Sequence, residues 1–143
     1  MANDESLAGL SRQEIELSQA PRAESQHILL ALLRLPQSNA GHILNAHGVT
    51  RDRVLEEVER VRRSGFEESS AEPDPLGRPQ SAAYYDLFAV WDLWEGEFHK
   101  VVRWTAGHEL LRMLSVDSIA KRVLTKLGVT KHEVREMLSM PPE

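Results

Sequence analysis

The chain has 143 residues, 41% of them apolar and 27% charged, with a formal net charge of -5. That length suits one domain or two small repeats sharing a core. The acidic balance disfavours nucleic acid, whose affinity comes mostly from Lys and Arg neutralising phosphates, and the lack of cysteine excludes disulfides, thiolate metal sites and cysteine nucleophiles.

The opening residues, Met-Ala-Asn-Asp-Glu-Ser, lack the basic and apolar regions of a signal peptide. No apolar run reaches the length that spans a bilayer. The expectation is a soluble, cytoplasmic protein with no membrane partner. From Ser6 to Ala20 the pattern is a short, weak amphipathic helix, ended by Pro21. Ser25 is the expected cap of a strongly apolar helix, Gln26 to Leu35, which belongs in a core. Ser38 caps a third helix, Asn39 to His47, closed by Gly48. A fourth runs from Arg51 to about Arg63, with Val54, Leu55, Val58 and Val61 on one face. Its i,i+4 pairs Glu56–Arg60 and Glu59–Arg63 read as a solvated face.

Residues 65–79 contain three prolines and no apolar period, and read as a linker or surface loop. Helical patterning resumes from Ser81 to about Trp94, rich in aromatics, and 96–104 is an irregular join. Further helices are expected at Ala106 to Leu114, after a cap at Asp117 or Ser118, and at Lys131 to about Met140, stopped by Pro141 and Pro142. No stretch shows a convincing strand pattern.

One stretch occurs twice, 80 residues apart: Ile43-Leu-Asn-Ala-His-Gly-Val-Thr-Arg-Asp-Arg-Val54 and Val123-Leu-Thr-Lys-Leu-Gly-Val-Thr-Lys-His-Glu-Val134. Gly48 and Gly128 sit where a helix ending favours the left-handed conformation, and Thr50 and Thr130 where a hydroxyl caps the next helix. Thr130 and Glu133 also have capping-box spacing. Gln26-His-Ile-Leu-Leu-Ala-Leu-Leu33 likewise faces Gly107-His-Glu-Leu-Leu-Arg-Met-Leu114. One architectural unit used twice accounts for both matches.

A helix opening with His-x-Leu-Leu, a helix ending in Leu-x-x-x-Gly-Val, and a following Val-x-x-x-Val/Leu resemble the double repeat of the Clp amino-terminal domain. That module stands at the front of the Clp/Hsp100 unfoldase subunits of bacterial proteases and disaggregases. The resemblance covers essentially the whole chain. It is best over Ser25 to Val61 and Ala106 to Leu138, and poor in the first helix and over Tyr84 to Trp104. It implies an all-α domain of two pseudo-symmetric four-helix repeats, eight helices packed as one domain: repeat 1 at about 2–65, a linker at 66–79 and repeat 2 at about 80–143. It implies a non-enzymatic module that binds client segments and adaptor proteins of the Clp proteolysis and chaperone machinery. No Gly-x-x-x-x-Gly-Lys-Ser/Thr run exists in the chain, so ATP binding of that kind is not expected, and the chain resembles a stand-alone Clp amino-terminal protein. Relatives that read phosphoarginine carry a glutamate just before each helix-opening histidine. Here those positions are Gln26 and Gly107, which offer fewer acceptors and no charge.

His27 and His108 hold equivalent places. They are either a paired ligand or base, or helix-entry residues whose rings bond nearby backbone, and the shared scaffold position favours the second. No metal-ligand spacing, nucleophile–base set or cofactor motif stands out, so no catalytic, metal or cofactor-binding residue is assigned. Seven of the eight aromatics lie between Tyr84 and Trp104. Leu87 and Phe88 are expected in the core; Trp91, Trp94, Phe98 and Trp104 are the candidates for a protein-binding patch. The leading expectation is therefore a protein or peptide partner, with no nucleic acid, membrane or ATP. The alternative is a protein that binds or sequesters a small molecule or cyclic peptide in an aromatic pocket. A helix-turn-helix DNA binder, suggested by the Gly-Val-Thr joints, ranks below both because of the negative charge.

Overall fold

A computed structural model describes residues 6–93 and 105–139, the side chains of 89–93 excepted. Among the described residues the fold is all-α. Eight helices follow in order: α1 Leu7–Ser18, α2 Ser25–Leu32, α3 Asn39–Ala46, α4 Arg51–Arg63, α5 Ala82–Leu93, α6 Ala106–Ser115, α7 Ile119–Lys126 and α8 Lys131–Ser139. The extended pairing among these residues consists of two isolated bridges, Ala23 with Gln80 and Ser70 with Ser81. No helix among them is long and apolar enough to cross a membrane.

The short apolar run of α2 becomes the centre of the molecule. All eight of its residues are buried, and it packs against α1, α4, α5, α6 and α7. Burial of side chains such as Ile28, Leu29 and Leu32 stabilises the fold by roughly 2 kcal/mol each. Around α2 the contacts cross between the two halves of the chain: α4 lies on α7, and α3 lies on α6. α1, weak by pattern, is held by packing on α2 and by Glu14, whose buried carboxylate accepts from Arg51 at 2.6 Å and lies 3.5 Å from Arg34.

The two Gly-Val-Thr joints have the expected local geometry. Gly48 and Gly128 take φ of 67° and 93°, where a side chain would be strained. Thr50 Oγ1 accepts from Arg53 N at 3.3 Å, and Thr130 Oγ1 from Glu133 N at 3.2 Å. The capping-box expectation for Glu133 is corrected: its carboxylate reaches His47 Nε2 instead, at 2.6 and 2.8 Å, tying the end of α3 to the start of α8. A second correction concerns α2. Its cap is Glu24, not Ser25, and the helix ends at Leu32 rather than Leu35. A third concerns α4. Arg60 pairs with Glu57 at 2.5 Å rather than with Glu56, and Arg62 reaches Glu24 at 2.8 Å. Glu57 is buried, so this face is partly packed rather than wholly solvated.

Candidate functional site

The described structure concentrates its unusual chemistry along residues 66–81 and the helix starts beneath them. Glu68, in the stretch read as linker, is only 5% exposed. Its carboxylate accepts from Ser25 N at 3.1 Å, Ser81 Oγ at 2.6 Å and Ile119 N at 2.7 Å, and also from Ser25 Oγ. Ser25 Oγ in turn accepts from Ala120 N at 2.9 Å, and Ser81 Oγ from Tyr84 N at 3.1 Å. One carboxylate thus serves the first turns of α2, α5 and α7. Those turns carry backbone N–H groups without helical acceptors and the positive end of the helix dipole, so a buried anion is stabilised there. No sequence signal marks Glu68: its acceptor role depends on partners far along the chain, and no apolar period surrounds it.

Beside this hub, Glu24 binds three donors. Gln26 Nε2 donates at 3.0 Å, Arg22 Nε at 2.9 Å and Arg62 at 2.8 Å. Burial pushes the Glu24 carboxyl up, but the hydrogen bonds from Gln26, Arg22 and Arg62 outweigh it and hold its pKa below the ordinary 4.5. Arg22 also fastens the neighbouring loop, donating to Glu68 O at 2.5 Å and Ser70 Oγ at 2.9 Å.

The two histidines play the same part. His27 Nδ1 accepts from Glu24 N at 3.0 Å, and His108 Nδ1 accepts from Thr105 N at 3.0 Å. Each ring caps its own helix entry as a neutral acceptor. Burial lowers both pKa values from 6.5. Both rings thus cap the helices they open. No group of three or more His, Asp and Glu among the described residues is placed to hold a metal ion.

Gln26 and Gly107 are not presented to a ligand. Gln26 is 3% exposed, its Nε2 is engaged by Glu24, and its Oε1 is buried without a hydrogen-bond partner. Gly107 is packed so closely that an added Cβ would lie 2.7 Å from Met137 Cε and 2.9 Å from Asn39 Cγ. A glutamate there would displace its neighbours. Of the four aromatic candidates, Trp94, Phe98 and Trp104 lie outside the described residues, as does the side chain of Trp91.

Open surface exists elsewhere. A groove of about 1070 Å³ runs between α1, the 71–80 loop and α5. Ala8 and Gly9 form one side, Pro73 and Pro75 the other, and Tyr84 and Phe88 the floor. The two floor rings meet edge to face, with centroids 4.7 Å apart. Leu87 is fully buried behind them and Phe88 packs against the core, as expected from the pattern, while Tyr85 at the groove's edge is 56% exposed. Its charged lining residues, among those described, are Arg12, Glu72, Asp74 and Arg78. Asp74 accepts from Arg78 Nε at 2.7 Å and lies 3.8 Å from Arg12. The Arg78 and Leu76 N–H groups also point at Asp74, and the Arg78 backbone bond leads in lowering its pKa. A second hollow of about 430 Å³ lies across the same loop, between Phe66, Ser69, Ala82 and Val116. The aromatic run signals a core position for Phe88 but not the groove, and nothing in the sequence signals its proline wall.

No protein-family model matches the chain, and no curated protein matches it.

Proposed function

We propose that the protein is a non-enzymatic interaction module that binds an extended peptide segment in the groove between α1 and α5. The groove itself is the observation that carries this reading. It has an aromatic floor, small residues on one side that allow backbone approach, and two guanidiniums with two carboxylates at its margin, Arg12, Arg78, Glu72 and Asp74. An apolar centre with a polar rim is the usual build of a recognition surface. The likeness of the sequence to the Clp amino-terminal domain supports the same class of partner, a client segment or adaptor of a bacterial proteolytic or chaperone machine. Cytoplasmic residence follows from that reading.

The test is a titration of apolar-aromatic peptides followed by NMR. Saturable shifts at Ala8, Gly9, Tyr84 and Tyr85, weakened at least about tenfold by Tyr85→Ala together with Arg12→Ala, are expected. Saturation with shifts elsewhere, or none at any peptide concentration, overturns it. A second reading, sequestration of a small molecule or cyclic peptide, is favoured by the groove's volume, which is at the upper end for ligand pockets. A thermal shift with a cyclic peptide and none with linear peptides would favour it.

A further inference from the structure

Residues 66–79 form one wall of the groove, yet they are held to the body in an unusual way. Glu68 is the only buried residue between Phe66 and Pro79. Phe66 is half-buried under the Arg122 guanidinium, 3.8 Å from the ring centre, and the rest are half-buried or exposed, Leu76 at 75%. The segment thus contributes no fully buried apolar side chain. Apart from Phe66, which packs partly buried against the core, its grip is polar: the Glu68 carboxylate, the two Arg22 bonds to Glu68 O and Ser70 Oγ, and the backbone pairs Ala71 N to Gln80 O at 3.1 Å and Ala82 N to Ser69 O at 2.6 Å. Segments with few buried apolar contacts open at low free-energy cost while the core stays closed.

The segment begins at an open glycine joint and ends at a pinned point, and its tip resists unravelling. Gly65, with φ of 95° and open space on the side where a Cβ would stand, sits where α4 stops. At the far end the chain is pinned again, by Ala23 N to Pro79 O at 3.1 Å and Ser81 N to Ala23 O at 2.8 Å. The tip is internally closed by Asp74, which accepts from Leu76 N and Arg78 N at 2.9 Å each.

We propose that residues 66–79 are a strap that releases as one unit, with the Glu68 carboxylate as its single deep fastening, and that release opens the groove along its proline wall. When the strap leaves, the Ser25 and Ile119 amides lose their acceptor at the same moment as the Ala71 and Ala82 amides lose theirs. The opposite wall, Ala8 and Gly9 on α1, and the floor on α5 remain in place. What the opening admits rests on the groove reading above; the strap itself does not.

Native-state hydrogen exchange resolved to single amides tests it without any ligand. In the unaltered protein, Ser25, Ala71, Ala82 and Ile119 share one opening equilibrium, distinct from Leu30 and Leu32 inside α2. Glu68→Gln raises exchange of the whole set together by about tenfold or more. Arg22→Ala, which leaves Glu68 in place, raises the same set by a smaller factor and decides the matter should the first variant not fold. Unsynchronised exchange in the unaltered protein overturns the strap. So does a response confined to Ser25 and Ile119, or one that spreads equally to Leu30 and Leu32. Loss of peptide binding with the exchange pattern intact would instead remove the groove reading and leave the strap standing.

Discussion

Two pairs of helix starts face each other in this molecule, and they are reconciled by different means. Where α2 meets α7, the acceptor is a full charge brought from outside both helices, Glu68, 43 residues from Ser25 and 51 from Ile119. Where α3 meets α6, it is a neutral side chain from within one of them. Asn39 Oδ1 accepts from Gly107 N at 2.6 Å and Ala40 N at 2.8 Å, and its Nδ2 donates to Thr105 Oγ1 at 2.9 Å. In both places two positive dipole ends and several unpaired N–H groups converge. A carboxylate answers that field more strongly, but leaves a larger penalty when removed, because its donors are buried around it. A carboxamide is weaker, and removing it costs less.

That contrast can be broken most directly at Glu68. Glu68→Ala should lower stability by about 3 kcal/mol or more, since it leaves buried donors at three helix starts without an acceptor. Urea unfolding measures this, and a loss near 1 kcal/mol would put the two junctions on the same footing. Asn39→Ala should cost about 1–2 kcal/mol and leave hydrogen exchange along residues 66–79 unchanged. Gly107→Ala should cost about 1 kcal/mol through its contact with Asn39 and Met137. Combined with Asn39→Ala it should cost less than the sum, because losing the Asn39 carboxamide empties the space that the added methyl fills.

The smallest effect is acidic. His27 and His108 are held neutral in the fold with pKa values below 6.5, so the unfolded chain takes up protons first. Their contribution is complete above about pH 6.5 and is lost progressively as pH falls through the folded values. His27, the more deeply buried ring, dominates. Glu24, with its pKa below 4.5, adds a further loss only below that pH. The urea midpoint followed downward from neutral pH should fall first in the histidine range, and a flat profile there would contradict the capping role.

Signals carried by a residue and its close neighbours in sequence are legible. Gly48 and Gly128 read as left-handed stops because only glycine is free of strain there, and Thr50 and Thr130 as caps because a hydroxyl three residues ahead of an N–H is a local arrangement. The apolar run of α2 announces a core helix because a helix apolar on most sides has nowhere else to go. Ser25 misleads for the opposite reason. A serine near a helix start caps by local rules, yet here its hydroxyl is drawn to Glu68 and Ala120, and Glu24 takes the cap. Glu133 misleads in the same way: it has a plausible partner nearby in sequence, at Thr130, and a better one in space, His47. The groove is not legible: the pattern sends Phe88 to the core and the binding patch to Trp91, Trp94, Phe98 and Trp104, rather than to the described residues that line it.

The three-way fastening at Glu68 also orders events during synthesis. The first half of the chain, through α4, contains the central helix but not the amides or hydroxyl that complete its start. Ser81 and Ile119 emerge from the ribosome later, and Ala120 lies 95 residues beyond the Ser25 hydroxyl to which it donates. Contacts of that separation form late and slow the final step. The nascent first half therefore has its α2 entry unfinished until Glu68, Ser81 and residues 119 and 120 have been made.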